Sequence, residues 1–120
     1  MFLMLQRHID QTKNGEKTQT RRVISYYKKG PKKGEQVPFK KIGSLQQVKT
    51  SFFARAQCTI RILDRWKERL GDISINDSWA EGGYAPFEYI EGLIAMHKGK
   101  IDADTVLVCY EYELVEDVKK

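Results

Sequence analysis

Apolar positions along the 120-residue chain recur in two rhythms. From Ser51 to Leu63 they alternate, with Phe52, Ala54, Ala56, Cys58, Ile60 and Ile62 set against Phe53, Arg55, Gln57, Thr59 and Arg61. That period predicts a strand with one face in a core and the other polar and basic. The same period returns from Thr105 to Leu114, where Val106, Val108, Tyr110 and Tyr112 oppose Leu107, Cys109, Glu111 and Glu113. Helical spacing takes over elsewhere: after Pro86, the residues Phe87, Ile90, Leu93, Ile94 and His97 fall on one stripe before Gly99 ends it. A shorter helix is expected to start at its cap Ser74 and to close at Gly82-Gly83 after Glu81, and another to cover Gln6 to Lys13 and stop at Gly15. Helix, strands, two helices and strand, dispersed and not alternating, argue for an α+β fold built on a small curved sheet or mixed β-barrel with flanking helices.

A chain of this length fits one domain spanning residues 1–120 and buries a core without staples. Its formal net charge is +5, and the excess is local: Lys17 to Lys41 holds nine Lys or Arg residues and one acid, Glu35, whereas Glu111 to Asp117 carries four acids and no base. Such a basic segment suits a polyanion or a solvated surface equally well. Within it, the stretch from Lys28 to Lys41 holds Gly30, Pro31, Gly34 and Pro38 and reads as a flexible basic loop. Cys58 and Cys109 sit in apolar runs, which predicts buried free thiols in a reducing compartment. With His8 and His97 they match no metal-ligand spacing, so neither a metal nor another cofactor is expected. The apolar start, Met1 to Leu5, is too short for a signal core or a membrane span, and a soluble, cytoplasmic protein without a membrane partner is the expectation.

Candidate chemistry concentrates in Gly15-Glu16-Lys17-Thr18-Gln19-Thr20-Arg21-Arg22, a glycine corner followed by cations and hydroxyls. Lysine offers a compact point charge, arginine a fork that grips phosphate or carbonyl with two bonds, threonine a donor and acceptor. If a strand starts at about Lys17, then Thr18, Thr20 and Arg22 share one face and Lys17, Gln19 and Arg21 the other. Lys17 and Thr20 then share a site only if the backbone bends near the corner.

With Val23, this stretch resembles the glycine, lysine, threonine and arginine motif of ASCH domains, which are small PUA-like barrels. Gly34-Glu35-Gln36-Val37 looks like the family's turn before a strand, with Glu35 in place of the usual aspartate. Arg69-Leu70-Gly71-Asp72-Ile73, then Asp77 to Tyr84 and Phe87-Glu88-Tyr89-Ile90, follow in family order, so the resemblance covers nearly the whole chain. Glu16 departs from it, standing where a basic residue is common and lowering the local positive charge.

The resemblance implies a cleft between barrel and helices that takes RNA, a nucleotide or a modified base. In that role Lys17, Arg21 and Arg22, with Lys28, Lys29, Lys32 and Lys33 of the basic loop, contact phosphates, and Tyr26, Tyr27 or Tyr84 is available to stack on a base. One branch resembles an amidohydrolase that deacetylates acetylcytidine, which implies joint action of Lys17, Thr20 and Glu81. In chemical terms Thr20 is the nucleophile, Lys17 its base, Glu81 a proton shuttle and Arg22 a partner for negative charge. A lysine works as a base only when burial or neighbouring cations lower its pKa, and a nearby Glu81 carboxylate opposes this, leaving Lys17 a charged anion clamp. A ribonuclease is the weaker enzymatic reading, because nothing in the spacing brings His8 and His97 together. A protein-interaction module, with Trp66 or Trp79 on an apolar patch, is the remaining class.

Overall fold

The structure is a computed structural model and describes residues 1–118; Lys119 and Lys120 of the single domain expected over residues 1–120 lie outside the described residues. Five strands and three helices follow in the order β1 (Phe2–Leu3), α1 (Gln6–Lys13), β2 (Gln19–Val23), β3 (Leu45–Lys49), β4 (Cys58–Arg69), α2 (Ile75–Ala80), α3 (Pro86–Met96) and β5 (Val106–Asp117). The strands form one curled sheet in the order β1-β3-β4-β5-β2. β1 runs parallel to β3, with Phe2 opposite Val48, and every other neighbouring pair is antiparallel. The result is the expected α+β architecture, a half-barrel of mixed sheet flanked by helices. No helix among the described residues is long and apolar enough to cross a membrane.

The long ribbon of β4 and β5 is the spine, and its register slips at Thr59/Ile60 and at Ile62/Asp64. Such bulges bend a strand and increase its twist, which curls the sheet. Because successive residues of β5 point to opposite faces, the strand feeds two cores. Val108, Tyr110 and Tyr112 join Phe2, Met4, Ile9, Val48, Cys58, Ile60 and Ile62 inside the curl. Leu107 faces the other way and packs with Leu70, Ile73, Tyr89 and Ile101, under α3 residues Ile90, Leu93 and Ile94. Coverage on both faces explains why Cys109, between these sets, is buried.

The three helices fall where the α3 stripe, the Ser74 cap and the glycine stops place them, and Ser74 caps α2 by accepting from Asp77 N at 3.0 Å. Phe87 departs from its expected stripe: it is 72% exposed, and the inward face of α3 is Tyr89, Ile90, Leu93 and Ile94. The central strand is displaced from the predicted Ser51 to Leu63. Its partner β3 stops at Lys49 and Val48 pairs with Cys58, so Ser51 to Ala56 have no strand alongside and form the β3 to β4 turn, which closes where Gln57 N donates to Val48 O at 2.9 Å. Phe52 and Phe53 stand out on that turn, 63% and 95% exposed, edge to face at 5.0 Å. At its other end β4 continues through Asp64-Arg65-Trp66-Lys67-Glu68-Arg69 because β5 supplies partners as far as Arg69↔Val106. The charged composition of that stretch hides it from an apolar pattern. β3 and β1 also escape the pattern, being short edge elements.

Within the basic loop, Tyr26 bridges Gln36, Tyr27 N donates to Glu35 O at 2.9 Å and Val37 N to Ser25 O at 2.8 Å. These bonds fold the segment into a small hairpin that projects from the end of β2.

Candidate ligand cleft

Between the curled sheet and helices α1 and α3 lies a cleft of about 560 Å³. Its chemistry begins at the glycine corner. Gly15, with φ +83°, turns the chain after α1, and Glu16 N and Lys17 N both donate back to Gln11 O, at 2.8 and 3.1 Å. A positive φ at that point suits a residue without Cβ. Thr18 N then bonds Ala80 O at 2.9 Å, and β2 begins at Gln19. Lys17 therefore precedes the regular strand, escapes its alternation, and lines the same cleft as Thr20 and Arg22.

Lys17 and Glu81 form the floor and are 4% and 2% exposed. Lys17 Nζ donates to Glu81 Oε1 at 3.0 Å, to Glu81 O at 2.7 Å and to Gln19 O at 2.8 Å, using all three ammonium hydrogens. Burial pulls the Lys17 pKa below its usual value, against the opposing pull of the Glu81 carboxylate. The second oxygen of Glu81 accepts from Arg21 Nη1 at 2.8 Å. Arg21 also donates to Gln19 Oε1 at 2.9 Å, to Glu68 Oε1 at 3.0 Å and to Asp77 Oδ2 at 3.3 Å, with its carbon 5.7 Å from the centroid of Trp66. Its Nε has no hydrogen-bond partner among the described residues. Held by carboxylates, the guanidinium has its pKa pushed above the usual arginine range, against the cost of burial. Burial and Glu81 likewise push the Tyr89 phenol well above its ordinary value, so it remains protonated.

Arg22 is different. Its Nε donates to Thr20 Oγ1 at 3.1 Å and its carbon lies 4.9 Å from the centroid of Phe2, yet it has no acidic partner among the described residues. Burial lowers its pKa, as expected for a cation short of a counter-charge. At the mouth, Tyr84 links α1 to the turn after α2: Arg7 Nη2 donates to Tyr84 Oη at 2.8 Å, and His8 Nε2 lies 2.8 Å from the same oxygen. Burial, then Lys17 and Arg7, bring the His8 pKa down to about 4. Neutral His8 thus accepts from Tyr84, which accepts from Arg7. Leu3, Leu5, Leu93 and Met96 make the rest of the wall apolar.

The cleft therefore gathers Lys17, Thr20, Arg21, Arg22 and Glu81 of the residues expected to act. Lys28, Lys29, Lys32 and Lys33 are exposed on the hairpin and do not line it. Tyr84 lines it and Tyr26 and Tyr27 do not. Sequence reasoning missed Glu68 and Asp77 as partners of Arg21, along with His8, Arg7 and Tyr89. Asp77 was legible only as a capping acid, and Glu68 sat unmarked in a mixed-charge stretch.

No family model matches the chain, and no curated protein matches it either. Solved structures do. A protein from Enterococcus faecalis V583, described under the family model DUF984, superposes with a TM-score of 0.69 at 20% identity over 95% of this chain and 73% of that one. An ASCH domain from Lactobacillus crispatus JV V101 gives a TM-score of 0.68 at 24% identity, covering 91% of this chain and 70% of that one. The fold is that of an ASCH domain. In this ASCH-like fold the buried lysine and glutamate, Thr20 and Arg22 all line the cleft between sheet and helices.

Proposed function

We propose that the cleft binds a nucleotide or the exposed nucleotide of an RNA. The observation that carries this reading is Arg22, a half-buried guanidinium that lines the cleft and has no salt-bridge partner among the described residues. Desolvating an unpaired cation is costly, and an anionic guest offsets the cost. The apolar wall and the tyrosine at the mouth suit a flat base, whose faces are hydrophobic and whose edges are polar. Lys17 and Arg21, each paired with Glu81, act as scaffold for it and leave the phosphate to Arg22. The hairpin lysines contribute a long-range field. RNA affinity on this reading falls steeply as salt rises, and a flat response between low and physiological salt would reject it.

A second reading, hydrolysis of an acylated nucleoside, is favoured by one contact: Lys17 Nζ lies 3.0 Å from Glu81 Oε1 in a cleft that Thr20 also lines. In that chemistry Lys17 first yields a proton to Glu81, and its freed lone pair then takes the Thr20 proton as the hydroxyl attacks the acyl carbon. The protonated glutamate gives its proton to the leaving amine, and a water then cleaves the acyl-Thr20 ester, releasing the carboxylic acid and returning the proton to Thr20 Oγ1. Incubation with acetylcytidine, followed by chromatography for cytidine, tests it, with Lys17→Ala as the control. Absence of turnover at high protein concentration sinks this reading and leaves the binding one intact.

A further inference from the structure

We infer that the guest of the cleft carries a phosphate and that its seat is Arg22 of the cleft lining together with Lys40, which lies outside that lining but near the same Phe2 ring. This rests on the nucleotide reading above and adds to it the position of the charged end. Charge sorting points there first. Lys17 and Arg21 meet Glu81, Glu68 and Asp77, so the pairs of the cleft floor are closed. Neither Arg22 nor Lys40 has an acidic partner among the described residues. Yet Arg22 and Lys40 stand 4.9 and 5.9 Å from the centroid of the same buried ring. A ring face offsets part of the repulsion between two such cations, and a dianion between them offsets far more.

Arg22 is held through its side chain, and Lys40 through its backbone, before any ligand arrives. Lys40 is pinned through its backbone, where its N donates to Tyr110 Oη at 2.9 Å and its O accepts from Arg65 Nη1 at 2.9 Å. Arg22 is pinned through Nε on Thr20, which leaves its two terminal nitrogens for the guest. A guanidinium held with its terminal nitrogens free, beside a second cation, suits phosphate recognition. The local field agrees: the Met1 ammonium is brought down to about 6 by burial and then by Lys40, Lys49 and Arg22. Arg7 also lacks an acid, but it is exposed and its Nη2 is engaged on Tyr84.

Calorimetric titration of the four ribonucleosides and their 5′-monophosphates at low salt tests the seat. At least one monophosphate is expected to bind about tenfold or more tightly than its own nucleoside, the equivalent of one well-placed charged contact. Arg22→Gln closes most of that gap and Lys40→Ala narrows it several-fold, with folding checked by circular dichroism. Should Arg22→Gln fail to fold, Lys40→Ala carries the test alone. Equal affinity for nucleoside and monophosphate overturns the seat and leaves the cleft reading standing, whereas no binding of either overturns both. A gap that closes in Arg7→Gln but survives Lys40→Ala also overturns the seat, since the charge would then sit at the mouth.

Discussion

Lys17 and Glu81 meet in the dry floor of the cleft, Nζ to Oε1 at 3.0 Å, and the opposite oxygen of Glu81 receives Arg21 at 2.8 Å. One carboxylate thus balances two cations. Removing it leaves both without their shared partner, while removing the lysine leaves Glu81 still held by Arg21. Glu81→Gln is therefore expected to lose about 3 to 5 kcal/mol of stability. Lys17→Met is expected to lose less, and the order of the two, read by urea unfolding, checks the arrangement. A glutamine variant as stable as the parent would contradict it.

His8 makes stability depend on pH with a definite sign. Its ordinary pKa of 6.5 falls to about 4 in the folded chain, so between those values the unfolded chain binds the extra proton. Its contribution is complete above pH 6.5 and is lost as pH falls toward 4. Carboxylates also titrate near the lower end, so the useful quantity is the difference between the parent and His8→Gln. That difference should shrink as pH is lowered from 7 to 4. A difference independent of pH would show that His8 is not held neutral.

Tyr84 Oη is the meeting point of Arg7 and His8, and through it the turn after α2 is tied to α1. Tyr84→Phe keeps the ring against Tyr89 and deletes only the link. A loss of about 1 kcal/mol is expected. Hydrogen exchange should quicken in the first turn of α1 and in the Gly82-Gly83 turn, and unchanged protection in both would argue against the tie.

Two adjacent glycines separate backbone strain from crowding. Gly82 has φ +140°, and a Cβ there would lie 2.8 Å from Gln11 Oε1 and 3.1 Å from Tyr84 Cε2. Gly83 has φ +85° and open space around it. Gly82→Ala is expected to cost about 1 to 3 kcal/mol, from a conformation nearly reserved to glycine together with displacement of Gln11. Gly83→Ala should cost less, and Gly83→Asn less again, because asparagine tolerates the left-handed region. Thermal melts of the three variants give the ranking.

Much of the fold was legible because periodicity survives in an amphipathic helix or strand, as in α3 and β5, and because a glycine stop marks the end of α1. Ser51 to Gln57 shows where that signal misleads: Phe52, Ala54 and Ala56 keep the strand rhythm, but pairing needs a neighbour and β3 ends at Lys49. The reverse holds for Asp64 to Arg69, polar in sequence yet strand in structure because β5 lies alongside. At the cleft, residue types marked Lys17, Thr20 and Arg22, and Glu81 entered only through the family resemblance. They did not tell Arg21 from Arg22, since neighbours on a strand face opposite ways and only the fold reveals that three acids wait on one side. Lys40 was hidden for a related reason: its proximity to Arg22 passes through Phe2, far from both in sequence.

The strand that bears Thr20, Arg21 and Arg22 has a single neighbour in the sheet, β5, with Gln19 set opposite Glu111. The motif that carries these residues therefore takes its shape only once β5 docks against it across a very long loop. Closure at that separation is slow, and it is all or nothing for the motif. Loss of ligand affinity and loss of global structure should consequently coincide along a denaturant titration, with no partly folded species that retains a fraction of the binding.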